Sequence, residues 1–127
     1  MTDITALLQA AGVGVETTTL FAGRMPETPN ECISVIPYQG LPGLYVQERA
    51  APSYERPSVQ VMVRGHGSIA TENRARAAYD ALAAVANQTI NGTFYLAIRP
   101  NHEPFPLPKD SNDRDLWVIN AQCILRR

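Results

Sequence analysis

Two cysteines and two histidines are the side chains in this sequence best suited to covalent or acid–base chemistry. Cys32 or Cys123, paired with His66 or His102, would supply a nucleophile and its base. Both cysteines fall inside runs with strand character and not at a strand-to-helix elbow, so they read as small structural thiols. They are far apart in the chain and no CxxC occurs, which predicts two reduced thiols rather than a disulfide. His102, Glu103 and Asp110 are metal-ligating types, but their spacing matches no known site. Gly65-His66-Gly67 ahead of a helix invites a phosphate cradle, because free amides at a helix start bind anions. It lacks both the GxxxxGK[ST] and the GxGxxG pattern and reads as a turn. Asp110-Ser111-Asn112-Asp113-Arg114-Asp115 is rich in oxygen ligands, like a calcium loop. The central glycine and terminal glutamate are missing, however, and Arg114 sits among the would-be ligands. The expectation is a protein that is not an enzyme and takes no metal or cofactor.

The elements that would position these residues follow from composition and pattern. The chain has 127 residues with 45% hydrophobic and 18% charged, enough for a packed core. Its net charge of -1 argues against a dedicated nucleic-acid binder. Lys109 is the one lysine, beside ten arginines. The longest apolar stretch, Ala77 to Ala86, is broken by Asp80, whereas a spanning helix needs about twenty apolar residues. The first residues show neither a positive nor an apolar leader region, so no signal peptide is expected.

Ile4, Leu7, Leu8 and Ala11 share one helical face, with Asp3 placed to cap a short helix and Gly12 placed to end it. A strand is expected from Val15 to Ala22, a turn from Gly23 to Pro29 and an interior strand from Glu31 to Pro37. Tyr38 to Pro57 is broken by Gly40, Pro42, Gly43, Pro52 and Pro57, with a third strand expected at Leu44 to Ala50. Ser58 to Arg64 alternates cleanly and reads as a strand. Ser68 is placed to cap a long helix running to about Asn87, whose buried stripe is Ala75, Ala78, Tyr79, Leu82, Val85 and Ala86. Thr89 to Gly92 reads as a turn. Phe94, Leu96 and Ile98 then alternate with Tyr95, Ala97 and Arg99. After the irregular stretch Pro100 to Asp115, a last strand runs from Leu116 to Leu125, with Trp117, Ile119, Ala121, Cys123 and Leu125 on one face. The predicted fold is a single α+β domain over residues 1–127: one mixed or antiparallel sheet, flanked by a long helix and a short N-terminal helix.

What remains is surface character. Two irregular loops carry aromatic and arginine side chains, types enriched at the cores of interfaces, and an open sheet leaves two edges. This favours an assembly protein. Glu55-Arg56-Pro57-Ser58-Val59-Gln60-Val61-Met62-Val63-Arg64-Gly65, the alanine-rich helix and Ile90-Asn91-Gly92-Thr93-Phe94-Tyr95 are similar to phage minor capsid proteins of the tail terminator (tail completion) type. So are Pro106-Leu107 with Asp110, Asn112 and Arg114, and Trp117-Val118-Ile119-Asn120.

The resemblance implies a structural virion protein of the tail or neck, made in the bacterial host cytoplasm and not bound to membrane. It implies a homo-oligomeric ring, commonly of six copies, that caps the tail tube protein, ends tube polymerisation and docks the head–tail connector proteins. Genomic DNA would pass through the lumen without sequence-specific binding. Tyr38, Tyr45, Arg49, Tyr54 and Arg56 are the first candidates for contacts with neighbours or tube, and Phe105, Lys109, Asp110 and Arg114 the second. The alternatives are a head-completion or neck adaptor protein and a small ligand-binding or enzymatic domain using His66.

Overall fold

The computed structural model describes residues 2–14, 18–44 and 54–126. The first helix, α1 (Thr2–Ala10), buries Ile4 and Leu8 completely and packs Leu7 against the same cluster. Gly12, at φ +79°, turns the chain out of it, in a left-handed conformation that costs glycine little. Asp3 does not act as the expected cap. It lies inside the first turn, and its Oδ2 accepts a 2.8 Å hydrogen bond from the Tyr95 hydroxyl.

The strands are β1 (Leu20–Ala22), β2 (Cys32–Leu44), β3 (Tyr54–Gly65), β4 (Ala86–Ile90), β5 (Thr93–Pro100), β6 (Phe105–Leu107) and β7 (Asp115–Arg126), with the second helix, α2 (Ser68–Ala83), between β3 and β4. They form one seven-stranded sheet in the order β1-β2-β3-β7-β5-β4. The β1–β2 pair is parallel and every other pair antiparallel, so the sheet is mixed. β7 is its spine. One side pairs with β3 along almost its whole length; the other takes β6 at Leu116–Val118 and β5 from Ala121 onward.

Several expectations are corrected. Of the strand expected over Val15–Ala22, only Leu20–Ala22 is extended; Thr18 and Thr19 turn, and residues 15–17 lie outside the described residues. The Tyr38–Pro57 segment is not broken where its glycines and prolines suggest. β2 continues through Gly40, Pro42 and Gly43 to pair Leu44 with Tyr54, with register shifts absorbing the irregular residues. The third strand expected at Leu44–Ala50 therefore begins as the end of β2, and its remainder lies outside the described residues. The α2 helix has 16 residues and is not the long helix expected. It stops at Ala83, with the Ala84 N–H donating to Asp80 O and the Val85 N–H to Leu82 O. Gly67 at φ 90°, not Ser68, precedes the helix, and no side chain caps it. Thr89 and Ile90 belong to a strand, leaving Asn91 (φ 48°) and Gly92 (φ 79°) as a two-residue hairpin turn.

Both helices lie on one face. Ala75, Ala78 and Leu82 of α2 join Ile4 and Leu8 over Ile33, Val35, Val59, Val61, Val63, Ile119, Ala121, Cys123 and Leu125. The period-two alternation of β3 and β7 produces this face as read from sequence. In β5 a register shift between Tyr95 and Ala97 changes the phase, so that Tyr95 and Ile98 are both buried in the core. Leu82 is fully buried where α2 meets the sheet. Leu82→Ala is expected to lower the unfolding free energy by about 2–5 kcal/mol in a denaturant titration, with the far-UV spectrum unchanged.

Candidate functional site

The opposite face of the sheet has no helix over it. By alternation it presents Cys32, Ser34 and Ile36 from β2, Ser58, Gln60, Met62 and Arg64 from β3, and Leu116, Val118, Asn120, Gln122 and Ile124 from β7. Part of it is covered by the loop 23–31 and by the segment 101–114, and two buried arginines fasten those coverings. Arg64, 4% exposed, donates from Nη2 to Pro26 O (2.6 Å), Pro29 O (2.7 Å) and Glu27 O (3.2 Å), and from Nε to Asn30 O (3.2 Å). One planar guanidinium thereby gathers a loop that makes few backbone pairs of its own. Ser34 adds a bond from its hydroxyl to Arg24 O.

Arg114, 3% exposed, bridges that loop to the later segment. Its Nε donates to Asp110 Oδ2 (2.7 Å), its Nη1 to Glu27 O (2.7 Å) and its Nη2 to Glu27 Oε1 (3.0 Å). Asn112 Nδ2 donates to the same Glu27 carboxylate. Two carboxylates and a carbonyl thus compensate a desolvated cation. Asp110 also accepts from the backbone N–H of Arg114 (2.9 Å) and of Asn112 (3.0 Å). The Arg114 backbone N–H, foremost, and its guanidinium hold the Asp110 carboxyl below the usual carboxylate range. Asp110 and Arg114 therefore form an internal latch in which both Asp110 carboxylate oxygens are committed.

The remaining chemistry-bearing side chains are likewise accounted for. His102 Nδ1 lies 2.7 Å from Glu103 O and must donate there, so Nε2 accepts from Asn120 Nδ2 (3.1 Å); Asn120 Oδ1 in turn accepts from Gln60 Nε2 (3.2 Å). Cys32 and Cys123 are free and buried. Burial pushes the Cys123 thiol up to about 11 and raises Cys32 too, against the pull of the Arg64, Arg114 and Arg74 charges, so both stay protonated at neutral pH. His66 is exposed in the turn before α2. Among the described residues no group of three or more His, Cys, Asp or Glu could hold a metal ion. A cavity of about 180 Å³ is lined by Val13, Thr19, Glu31, Cys32, Ile33 and Arg74, and Arg74 is ion-paired with Glu31 at 3.3 Å.

The candidate contact residues are scattered over this architecture. Tyr38, Tyr54 and Arg56 sit on the β2–β3 hairpin, where Tyr38 pairs with Ser58 and Leu41 with Arg56. Tyr45 and Arg49 lie outside the described residues. Phe105 is 39% exposed and its ring meets that of His102 at 4.8 Å. Lys109 is exposed and 3.7 Å from both Asp113 and Asp115. Asp110 and Arg114, by contrast, face inward on one another. Arg64 was invisible to sequence reasoning: it occupies a polar phase of an alternating strand, and its acceptors are backbone carbonyls that leave no sequence trace.

Beyond its short pairing with β1, β2 is itself an edge. Val35 O accepts from Gly23 N on the outer side of β2, so Pro37, two residues on, turns its donorless nitrogen to the same side. At the other edge Asn87, with φ 49°, interrupts β4.

With that geometry in hand, the chain can be set beside known proteins. Residues 7–127 match the family model described as bacteriophage tail terminator protein. The chain belongs to the bacteriophage tail terminator family. No match is found among curated proteins. A chain in the solved virion of a native gene transfer agent particle has the same fold, with a TM-score of 0.70 at 14% identity over 98% of this chain and 92% of that one. Family membership makes this a structural protein of the phage tail. No helix among the described residues is long and apolar enough to cross a membrane.

The double latch yields two predictions. Arg64→Met removes the donor for four carbonyls; it should lower stability by about 2–3 kcal/mol and speed amide exchange across 24–31. Asp110 has a folded pKa below its unfolded one. Its contribution is complete above about pH 4 and is lost as pH falls through the lowered folded value. Melting-temperature profiles taken down through acid should show a steeper fall for the native chain than for Asp110→Asn.

Proposed function

We propose that this chain is the subunit of a six-membered ring that caps the phage tail tube, ends its polymerisation and presents its other side to the head connector. The observation that carries this reading is the family match across nearly the whole chain. The distribution of chemistry supports it: the two cysteines are buried, His102 is hydrogen-bonded, and the Glu27 and Asp110 carboxylates fasten loops, while His66 stands exposed in a turn. The protein acts through shape and catalyses no reaction. It takes its place at the junction of tail and neck, after synthesis in the host cytoplasm.

A head-to-tail contact between two different patches closes into a ring when the rotation allows, and the two sides of such a ring differ. One side can therefore meet tube and the other connector. The near-zero net charge suits a conduit for genomic DNA, since a strongly basic wall would hold phosphates. Tyr38, Tyr45, Arg49, Tyr54 and Arg56 on and beside the hairpin, with Phe105 and Lys109, are the proposed contacts with neighbour or tube. Asp110 and Arg114 serve indirectly, by holding the segment that carries Phe105 and Lys109.

Native mass spectrometry should find a species six times the 13.9 kDa chain mass, and adding it to polymerising tail tube protein should stop tube growth. Tyr45→Ser with Tyr54→Ser should keep the circular dichroism spectrum and shift the mass toward monomer. A ring that binds portal ends while tubes keep growing would make the protein a neck adaptor instead.

A further inference from the structure

The helix layer and the bare sheet face are on opposite sides of the same molecule, and they differ in charge. On the outer side of α2 the exposed residues include Ile69 (76% exposed), Ala70 and Ala77, with the polar Asn73 among them. Acids flank them: Glu72, Asp80 and Glu103 surround Arg76, which reaches Glu103 at 3.0 Å. Arg74, on the same helix, is neutralised by Glu31, so Glu72, Asp80 and Glu103 against Arg76 leave an excess of negative charge. On the part of the bare face that β5 and β7 form, the exposed charges are basic. Arg99 follows the buried Ile98 and pairs in register with Gln122, so it stands on the side away from the helices. Arg126 follows the buried Leu125 and lies over the Phe94 ring at 4.9 Å, on the same side. Between them lie Gln122 and Ala97, both half-buried.

We propose that α2 of one copy docks on the bare sheet face of the next, with Glu72 and Asp80 of the first meeting Arg99 and Arg126 of the second. The inference rests on the ring reading and names the surfaces that build the ring. Three observations carry it. A sheet with apolar residues on both faces is stable when both are covered, and this chain supplies helices for one. The charges on the two surfaces are opposite, so like surfaces repel and unlike surfaces attract, which selects head-to-tail over two-fold pairing. Pro37 outward on β2 and the kink at Asn87 on β4 disfavour the competing strand-to-strand route.

Charge reversal tests it on the full chain, with oligomer mass as readout and circular dichroism as the check on folding. The Arg99→Glu, Arg126→Glu chain should assemble at least about tenfold more weakly than the native chain, and so should the Glu72→Arg, Asp80→Arg chain. The chain carrying all four substitutions should recover the native mass, because its surfaces are again complementary; that recovery also shows that the reversals do not act through misfolding. A native ring whose mass neither reversal changes overturns this contact and leaves the ring intact as a reading. A native chain that is monomeric at every concentration overturns both. Reversals that weaken assembly without recovery in the fourfold variant also overturn the pairing.

Discussion

The constraint on which this structure depends is that a seven-stranded sheet has two faces and the chain provides helices for one. On the helix side, the small side chains Ala75 and Ala78 let α2 lie close on Val61, Ile119 and Ala121, and α1 fills the corner with Ile4 and Leu8. On the other side, Val118, Ile124, Cys32 and Ser34 must also be shielded. Irregular backbone does much of this work, and irregular backbone makes a poor cover, because its carbonyls need donors. Arg64 and Arg114 supply them. A guanidinium presents several donors in one plane, so a single buried side chain from a strand can gather four carbonyls of a loop. Arg114 then joins the loop 23–31 to the segment 101–114 through Glu27 and Asp110. The covering is thereby one fastened surface rather than two independent loops; Lys109 stands on it, next to the short strand β6 that carries Phe105.

How much of this could be read beforehand varies with the physics involved. Val59, Val61 and Val63, and Trp117 through Leu125, declare a buried face by alternation alone, because a strand's side-chain period is fixed at two. The amphipathic face of α1 and its exit at Gly12 were equally plain. The run Gly40-Leu41-Pro42-Gly43 looked like a break because glycine and proline interrupt interior strands; β2 tolerates them where it has a neighbour on one side only, beyond its short pairing with β1. The end of α2 was hidden because an alanine-rich run carries no stop signal, so the chain's turn at Ala84 and Val85 is imposed by the need to bring β4 alongside β5. In β5 a single bulge moved Tyr95 onto the core face. The run 110–115 has the oxygen ligands of a calcium loop without its glycine and glutamate, and nothing in its local pattern shows that Asp110 and Arg114 turn inward. Their inward pairing depends on Glu27, more than eighty positions away, which local spacing cannot reveal.

The same accounting bears on function. Several side chains that could carry chemistry are held in structural tasks: His102 in the line from Gln60 through Asn120 to Glu103, Cys123 in the helix-side core, Cys32 buried on the other face, and Glu27 and Asp110 on Arg114. What the molecule offers to solvent includes a helix side on which acids outnumber bases and a sheet face whose β5 and β7 carry Arg99, Gln122 and Arg126. A member of the tail terminator family with two unlike surfaces back to back is well suited to repeat itself around an axis, each copy covering what its neighbour leaves bare.

The most direct measurement is the accessibility of that bare face. A cysteine placed at Gln122 stands near its middle, and the native thiols are buried, so a maleimide reagent reports the face selectively. Labelling of the Gln122→Cys chain should be fast in dilute, dissociated protein and slow in the assembled ring. Equal labelling rates in the two states would show that the face stays open to solvent and would contradict the account.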